Sequence, residues 1–300
     1  MTGLRLASPG RRTAAKRRWS GHLRSPLVAG AMIIPFLALA AFAMAAPVGM
    51  LLLEAFRDAA GFTFGNVAAL ARPAYRLAAW NSVTLSLASA LLSLAAGAAL
   101  AFVAGREGSR LGTAVASFSA VAAHFGGVPL AFAFVSSLGF QGLLTRGLKA
   151  IGLDFYAIGF SLYSLAGLTI VYAYFLTPLA ILVLGPSIRA LRADWLLAAT
   201  SLGATPGQRL RLVILPILAP SLVSSFLLLF GSALSGYATA YALTSGNIVL
   251  LTTEIGNVLS GDVASAPGIG AALSLAMIAI MTLLLLLARR FNRRAWTRPR

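Results

Sequence analysis

LLAATSLGATPGQRLRLVILPILAP, residues Leu196 to Pro220, decides how this chain is read. Asp194, just ahead of it, is expected to N-cap a short helix over Trp195–Leu202, and Gly203 stands where a left-handed C-terminal stop is wanted. Thr205-Pro206-Gly207-Gln208 then has the T-x-x-Q pattern of a capping box, with proline at the first helical position. From there the chain runs through Arg209 and Arg211 into an apolar stretch that contains Leu215-Pro216. Helix, glycine stop and capped helix predict a rigid elbow between two apolar runs. Ala198 and Ala199 keep its surface small enough for close backbone approach. Two caps within a dozen residues argue against a merely solvated loop and for a shaped docking surface.

The runs on either side set the class. Of the 300 residues 59% are hydrophobic and 10% charged, and the mean hydropathy is +0.88; a soluble domain carries about 25% charge. The chain reads as an all-α integral membrane protein. Six stretches are long and apolar enough to cross a bilayer, which takes ~20 helical residues: Leu27–Leu53, Asn81–Ala104, Gly112–Ser137, Tyr163–Pro186, Leu212–Leu234 and Ile269–Ala288. The first follows a basic front but is far longer than a signal core, which predicts a retained anchor. The expected organisation is a basic tail (1–26), a first span with its outer loop (27–80), a transmembrane domain (81–288) whose inner elbow covers 187–211, and a basic tail (289–300). The outer segments near 54–80 and 235–268 are rich in Gly, Ser, Thr and Asn and read as irregular, although the second is still apolar at its start, where the fifth helix would continue or re-enter.

Charge sets the orientation. With the N-terminus inside, 19 of the 24 Lys and Arg fall on the inner side and only Arg57, Arg72, Arg76, Arg146 and Lys149 on the outer. This bias predicts both termini in the cytoplasm. The net charge of +17 does not point to nucleic acid, because the basic residues cluster at the ends of apolar runs rather than interleaving with aromatics. With no cysteine, disulfides and thiolate chemistry are excluded.

Motifs for chemistry are missing. Lys16 and Lys149 are the only lysines and neither sits in a GxxxxGK[ST] phosphate loop. There is no HExxH, no GxSxG and no carboxylate cluster within an apolar run. Ion-coupled carriers usually keep ionisable groups near the midplane; here every Asp and Glu falls between runs. Any energy for work therefore comes from elsewhere.

At this point the elbow resembles the EAA loop of binding-protein-dependent ABC transporter permeases, with the pattern EAA-x3-G-x9-I-x-LP. Leu197-Ala198-Ala199, Gly203 and Val213-Ile214-Leu215-Pro216 fit its spacing. Leu197 stands where the family has glutamate and Val213 where it has isoleucine. The likeness extends from Asn81 to Ala288: Asn81–Phe102 resembles the helix that opens the shared permease domain, and Gly127–Leu148 resembles the corresponding region of thiamine, iron(III) and polyamine permeases. The resemblance implies a multi-pass permease of the bacterial inner membrane. It would share the solute pathway with a second permease, identical or not, take solute from an extracytoplasmic binding protein, and dock on separate ATP-binding subunits that use the ATP. No cofactor is expected on this chain. Loss of the acid at 197 implies apolar burial of Leu197, or a different partner permease that keeps the acid.

Four residues are candidates for the pathway. His124 is the one ionisable side chain within a predicted span, and the alternative to a pathway role is a neutral imidazole bonded to a neighbouring carbonyl or hydroxyl; Gly126, Gly127 and Pro129 beside it predict close contact or a kink. Tyr172, Tyr174 and Tyr237 would stack on a cationic or aromatic solute, or anchor the interface. The rival class is a secondary transporter or channel with no ATPase partner.

Overall fold

The computed structural model describes residues 26–58, 61–104, 110–260 and 267–296. Arg5, Arg11, Arg12, Lys16, Arg17, Arg18, Arg24, Arg106, Glu107, Asp262, Arg298 and Arg300 lie outside them. Two compact units divide the chain, Met1–Met50 and Leu51–Arg300. The first contributes most of helix α1 (Pro26–Ala55), which is apolar up to Glu54 and has Pro35 and Pro47 inside it.

In the second unit a two-stranded antiparallel hairpin, β1 (Arg57–Asp58) with β2 (Gly61–Phe62), precedes α2 (Gly65–Ala69) and α3 (Pro73–Ala104). Then come α4 (Arg110–Ala122), α5 (Gly127–Leu138), α6 (Leu143–Ala150), α7 (Leu165–Arg189), α8 (Ala193–Ser201) and α9 (Pro206–Arg209). A π-helical turn over Leu210–Ile214 leads into α10 (Leu215–Leu234), followed by α11 (Tyr237–Thr244), α12 (Leu251–Ser260) and α13 (Pro267–Trp296). Among the described residues six segments are long and apolar enough to cross a membrane: Ile33–Ala55, Pro73–Ala104, Gly127–Ala150, Leu165–Arg189, Pro206–Leu234 and Gly268–Arg290.

Packing centres on α3 and α7. The buried residues of α3 are Ala78, Ser82, Leu85, Ser86, Ser89, Ala90, Ser93, Gly97 and Ala101, a stripe of small side chains at helical spacing. In lipid there is no hydrophobic drive between helices, so small residues that let backbones touch supply the contact. Gly97 is the point of closest approach: a Cβ there would collide with the Cβ of Ala180 on α7. Two serine hydroxyls in the stripe bond to backbone, Ser93 to the Ser89 carbonyl at 2.7 Å and Ser89 to that of Thr169 at 3.4 Å. Around this seam Leu130, Leu168, Val171, Tyr172, Leu229 and Phe230 complete the core.

Two expectations are corrected. The third span is not continuous from Gly112 to Ser137: α4 ends at Ala122, and Gly126 is extended and Gly127 left-handed (φ +73°). The break is held from across the bundle, since the Gly127 N–H donates to Thr239 Oγ1 (3.0 Å) and that hydroxyl donates to the Gly127 carbonyl (3.3 Å). The crossing segment therefore shifts to Gly127–Ala150. The outer segments, read as irregular, are largely helical: α3 begins at Pro73, and α11 and α12 occupy the segment after the fifth span, which stops at Leu234. That segment is tucked into the bundle by Asn81 Nδ2 donating to the Val249 carbonyl (3.1 Å) and the Leu251 N–H donating to Ser82 Oγ (2.8 Å), with Leu250 and Leu251 buried.

Candidate functional site

The elbow is built from its caps. α8 closes in a six-residue glycine stop: the Gly203 N–H donates to the Thr200 carbonyl (2.9 Å) and the Ala204 N–H to that of Ala199 (3.0 Å), with Gly203 at φ +80°. Two residues on, Thr205 and Gln208 form the expected reciprocal capping box, with Gln208 N–H to Thr205 Oγ1 at 3.3 Å and Thr205 N–H to Gln208 Oε1 at 2.8 Å, and Pro206 at the start of α9. Arg209 clasps the two arms, its Nη1 donating to Thr200 Oγ1 at 3.0 Å. Neither this clasp nor the π-helical turn was foreseen from the sequence. The turn ends in a bond from the Leu215 N–H to the Leu210 carbonyl and directly precedes Pro216, which has no N–H to continue an α-helical ladder.

Asp194 does not cap α8. The cap position is Arg192, without a side-chain bond, and Asp194 lies in the first turn, where a carboxylate is favoured by the helix dipole. Its Oδ2 accepts from Arg192 Nη2 at 2.9 Å in an exposed pair, worth ~0–1 kcal/mol at most. Ala199 is buried, and Leu191 and Leu196 pack against a buried cluster that includes Leu184, Ile188 and Ile214. The opposite stripe, Asp194, Leu197, Ala198 and Ser201, is exposed, as are Thr205, Pro206, Leu215 and Pro216. Leu197 is 65% and Leu202 88% exposed; the latter was also missed.

The pathway candidates separate. Tyr172 is fully buried and donates to the Gly236 carbonyl. Tyr174 is exposed, meets Phe134 edge-on at 5.3 Å, and lines a cavity of about 520 Å³ with Phe118, Ser119, Thr177 and Pro178. Tyr237 stacks on Tyr241 at 5.3 Å. His124 lies in the break after α4, exposed, and its ring makes no hydrogen bond among the described residues, so the expected bonded imidazole is not found. Among the described residues no three His, Asp or Glu side chains are grouped to hold a metal.

With this geometry in place, the profile of the family described as binding-protein-dependent transport system inner membrane component matches residues 61–297. The chain belongs to that family. It is a multi-pass inner-membrane permease component of an ABC importer, a transport subunit rather than an enzyme, and the ATPase is a separate subunit. The family removes the reading as a carrier or channel without an ATPase. Importer permeases of this kind pair with ATP-binding subunits and a second permease, and bind no cofactor themselves. The permease is 26% identical over 244 residues to the spermidine/putrescine transport system permease protein PotB of Haemophilus influenzae, covering 79% of this chain and 84% of that protein. A match of 42% to the trehalose permease protein SugB of Mycobacterium tuberculosis is confined to 79 residues, 26% of this chain and 29% of that protein. Its fold is that of a chain in a bacterial ABC transporter involved in import of the acidic polysaccharide alginate, at TM-score 0.72 and 19% identity, covering 89% of this chain and 96% of that one.

Proposed function

We propose that the elbow of this importer permease faces the cytoplasm and is the surface on which an ATP-binding subunit docks, so that closure of the ATPases turns the bundle between inward-facing and outward-facing states. The observation that carries the reading is a doubly capped, clasped bend whose outward stripe is exposed. Asp194, Leu197, Ala198 and Ser201 form that stripe at positions i, i+3, i+4 and i+7 of α8, and Leu202 projects at the bend beside Gly203. An apolar contact at Leu197 replaces the family's acidic one, and Asp194, one turn earlier on the same stripe, supplies the carboxylate. A second permease that is not identical, and keeps the acid at the position of Leu197, completes the pair.

Tyr174 at its cavity, His124 in the helix break and Tyr237 are the proposed pathway residues. The finer placement with thiamine, iron(III) and polyamine permeases is supported by the PotB likeness, whereas relatives named for molybdenum and trehalose also match. Selection of solute then resides in the binding protein that delivers it.

The test uses the absence of native cysteine. In the assembled transporter, Ala198→Cys is expected to cross-link to a cysteine in the ATP-binding subunit, with a yield that changes on adding ATP. No cross-link at any nucleotide state, or modification of that cysteine by an impermeant reagent from outside intact cells, contradicts the docking role.

A further inference from the structure

The short hairpin after α1 carries three phenylalanines that pack on one another. Phe56 and Phe62 are stacked at 5.9 Å, Phe56 meets Phe64 edge-on at 5.6 Å, and Phe62 meets Phe64 edge-on at 5.1 Å. Phe62 remains 73% and Phe64 65% exposed, so the rings turn outward from the chain instead of completing its core. A groove of about 600 Å³ beneath them is lined by Leu52, Leu53, Phe56, Arg57, Gly61 and Phe62.

The cluster stands where two apolar helices end. One apolar span ends at Ala55, a single residue before Phe56, and another begins at Gly268. Gly268 lies against the side-chain amide of Asn66 and the carbonyl of Glu54, and Asn66 Nδ2 donates to the Arg57 carbonyl at 2.9 Å. The hairpin thus packs where α1 ends and α13 begins. Arg57 is exposed, and among the described residues its guanidinium has no ion-pair partner.

We propose that Phe56, Phe62, Phe64 and Arg57 form a lipid-interface site on the leaflet opposite the elbow, with the rings between headgroups and acyl chains and the guanidinium on a lipid phosphate. Aromatic rings favour that depth, and arginine brings an apolar stem with a charged head to the same boundary. A solute-binding protein is the competing occupant. It is disfavoured because the cluster follows directly on the last residue of one apolar helix and packs at the start of another, where lipid reaches it first. This assignment is independent of the docking role of the elbow.

The test labels Phe62→Cys, and separately Phe64→Cys, with bimane in the otherwise cysteine-free chain, reconstituted as the whole transporter in phosphatidylethanolamine and phosphatidylglycerol vesicles. The expected result is blue-shifted emission, strong quenching by nitroxides placed near the headgroup end of the acyl chain, weak quenching by aqueous iodide, and no change on adding the binding protein. Arg57→Gln in the labelled chain is expected to shift emission to longer wavelength. Strong quenching by iodide, or shielding that develops only when the binding protein is added, overturns the proposal; the second outcome makes the cluster a protein-docking surface.

Discussion

Gly203 sits at φ +80° with open space where a Cβ would project, so the cost of a side chain there is one of backbone and not of collision. That cost is roughly 1–2 kcal/mol for an L-residue and smaller for asparagine, which tolerates the left-handed region. Gly203→Ala is therefore expected to speed hydrogen exchange of the Gly203 and Ala204 amides by about tenfold, and Gly203→Asn by less; equal rates in all three proteins contradict the strain. Asp154 is the second residue with a measurable consequence. Its hydrogen bond to the Lys149 ammonium at 2.9 Å, with help from the N–H groups of Ala157 and Tyr156, holds its carboxyl below the ordinary aspartate value of 3.8. Because the folded value is the lower one, the stabilisation is fully present above pH 3.8 and is lost as pH falls through the depressed value. Exchange of the Tyr156 and Ala157 amides is expected to depart from its intrinsic pH dependence only below that range, and Asp154→Asn to abolish the departure. Gly203 was legible in the sequence because a single residue type serves that conformation. The burial of Tyr172 was not, because it depends on a carbonyl 64 residues away.

The elbow was readable as an element because caps are local: Thr205, Pro206 and Gln208 lie within four residues and their bonds depend on nothing distant. Thr205→Ala is expected to cost about 1 kcal/mol of the α9 turn, read as roughly fivefold faster exchange at Gln208, with no loss of inserted protein; an unchanged rate means that the capping box carries no stability there. The N-cap assigned to Asp194 failed because Arg192 turns the chain earlier and leaves the carboxylate in the first turn, on the exposed stripe. Gly126, Gly127 and Pro129 signalled a kink before α5, and the apolar start of the segment after Leu234 signalled a helix there, but where these pieces dock was hidden for another reason. Their partners, Gly127 with Thr239, Asn81 with Val249 and Ser82 with Leu251, are 112 to 169 residues apart, so no local pattern reveals the contacts.

At the scale of the whole molecule, six apolar spans and the α3–α7 seam make the frame against which a bend could do work. Gly97→Leu would force α3 away from Ala180 and is expected to lower the yield of folded protein in the membrane, whereas Gly97→Ala, the smallest intrusion, should lose less; normal yield of both contradicts the close approach. Number and order of spans were legible from hydropathy alone, since lipid demands long apolar helices. Which faces meet was not, because in lipid apolar side chains do not distinguish core from surface, and only the small-residue stripe of α3 carries that signal. The frame and the bend are joined through Ile188, Ile214 and Leu218, packed with Leu191 and Leu196, so the elbow is in contact with both α7 and α10. Coupling of ATP hydrolysis to transport by the elbow is read from the number of solute molecules imported per ATP hydrolysed by the reconstituted transporter carrying Gly203→Val. Hydrolysis is expected to continue while uptake per ATP falls, at unchanged insertion of the permease; uptake per ATP equal to that of the unaltered transporter excludes a coupling role for the elbow.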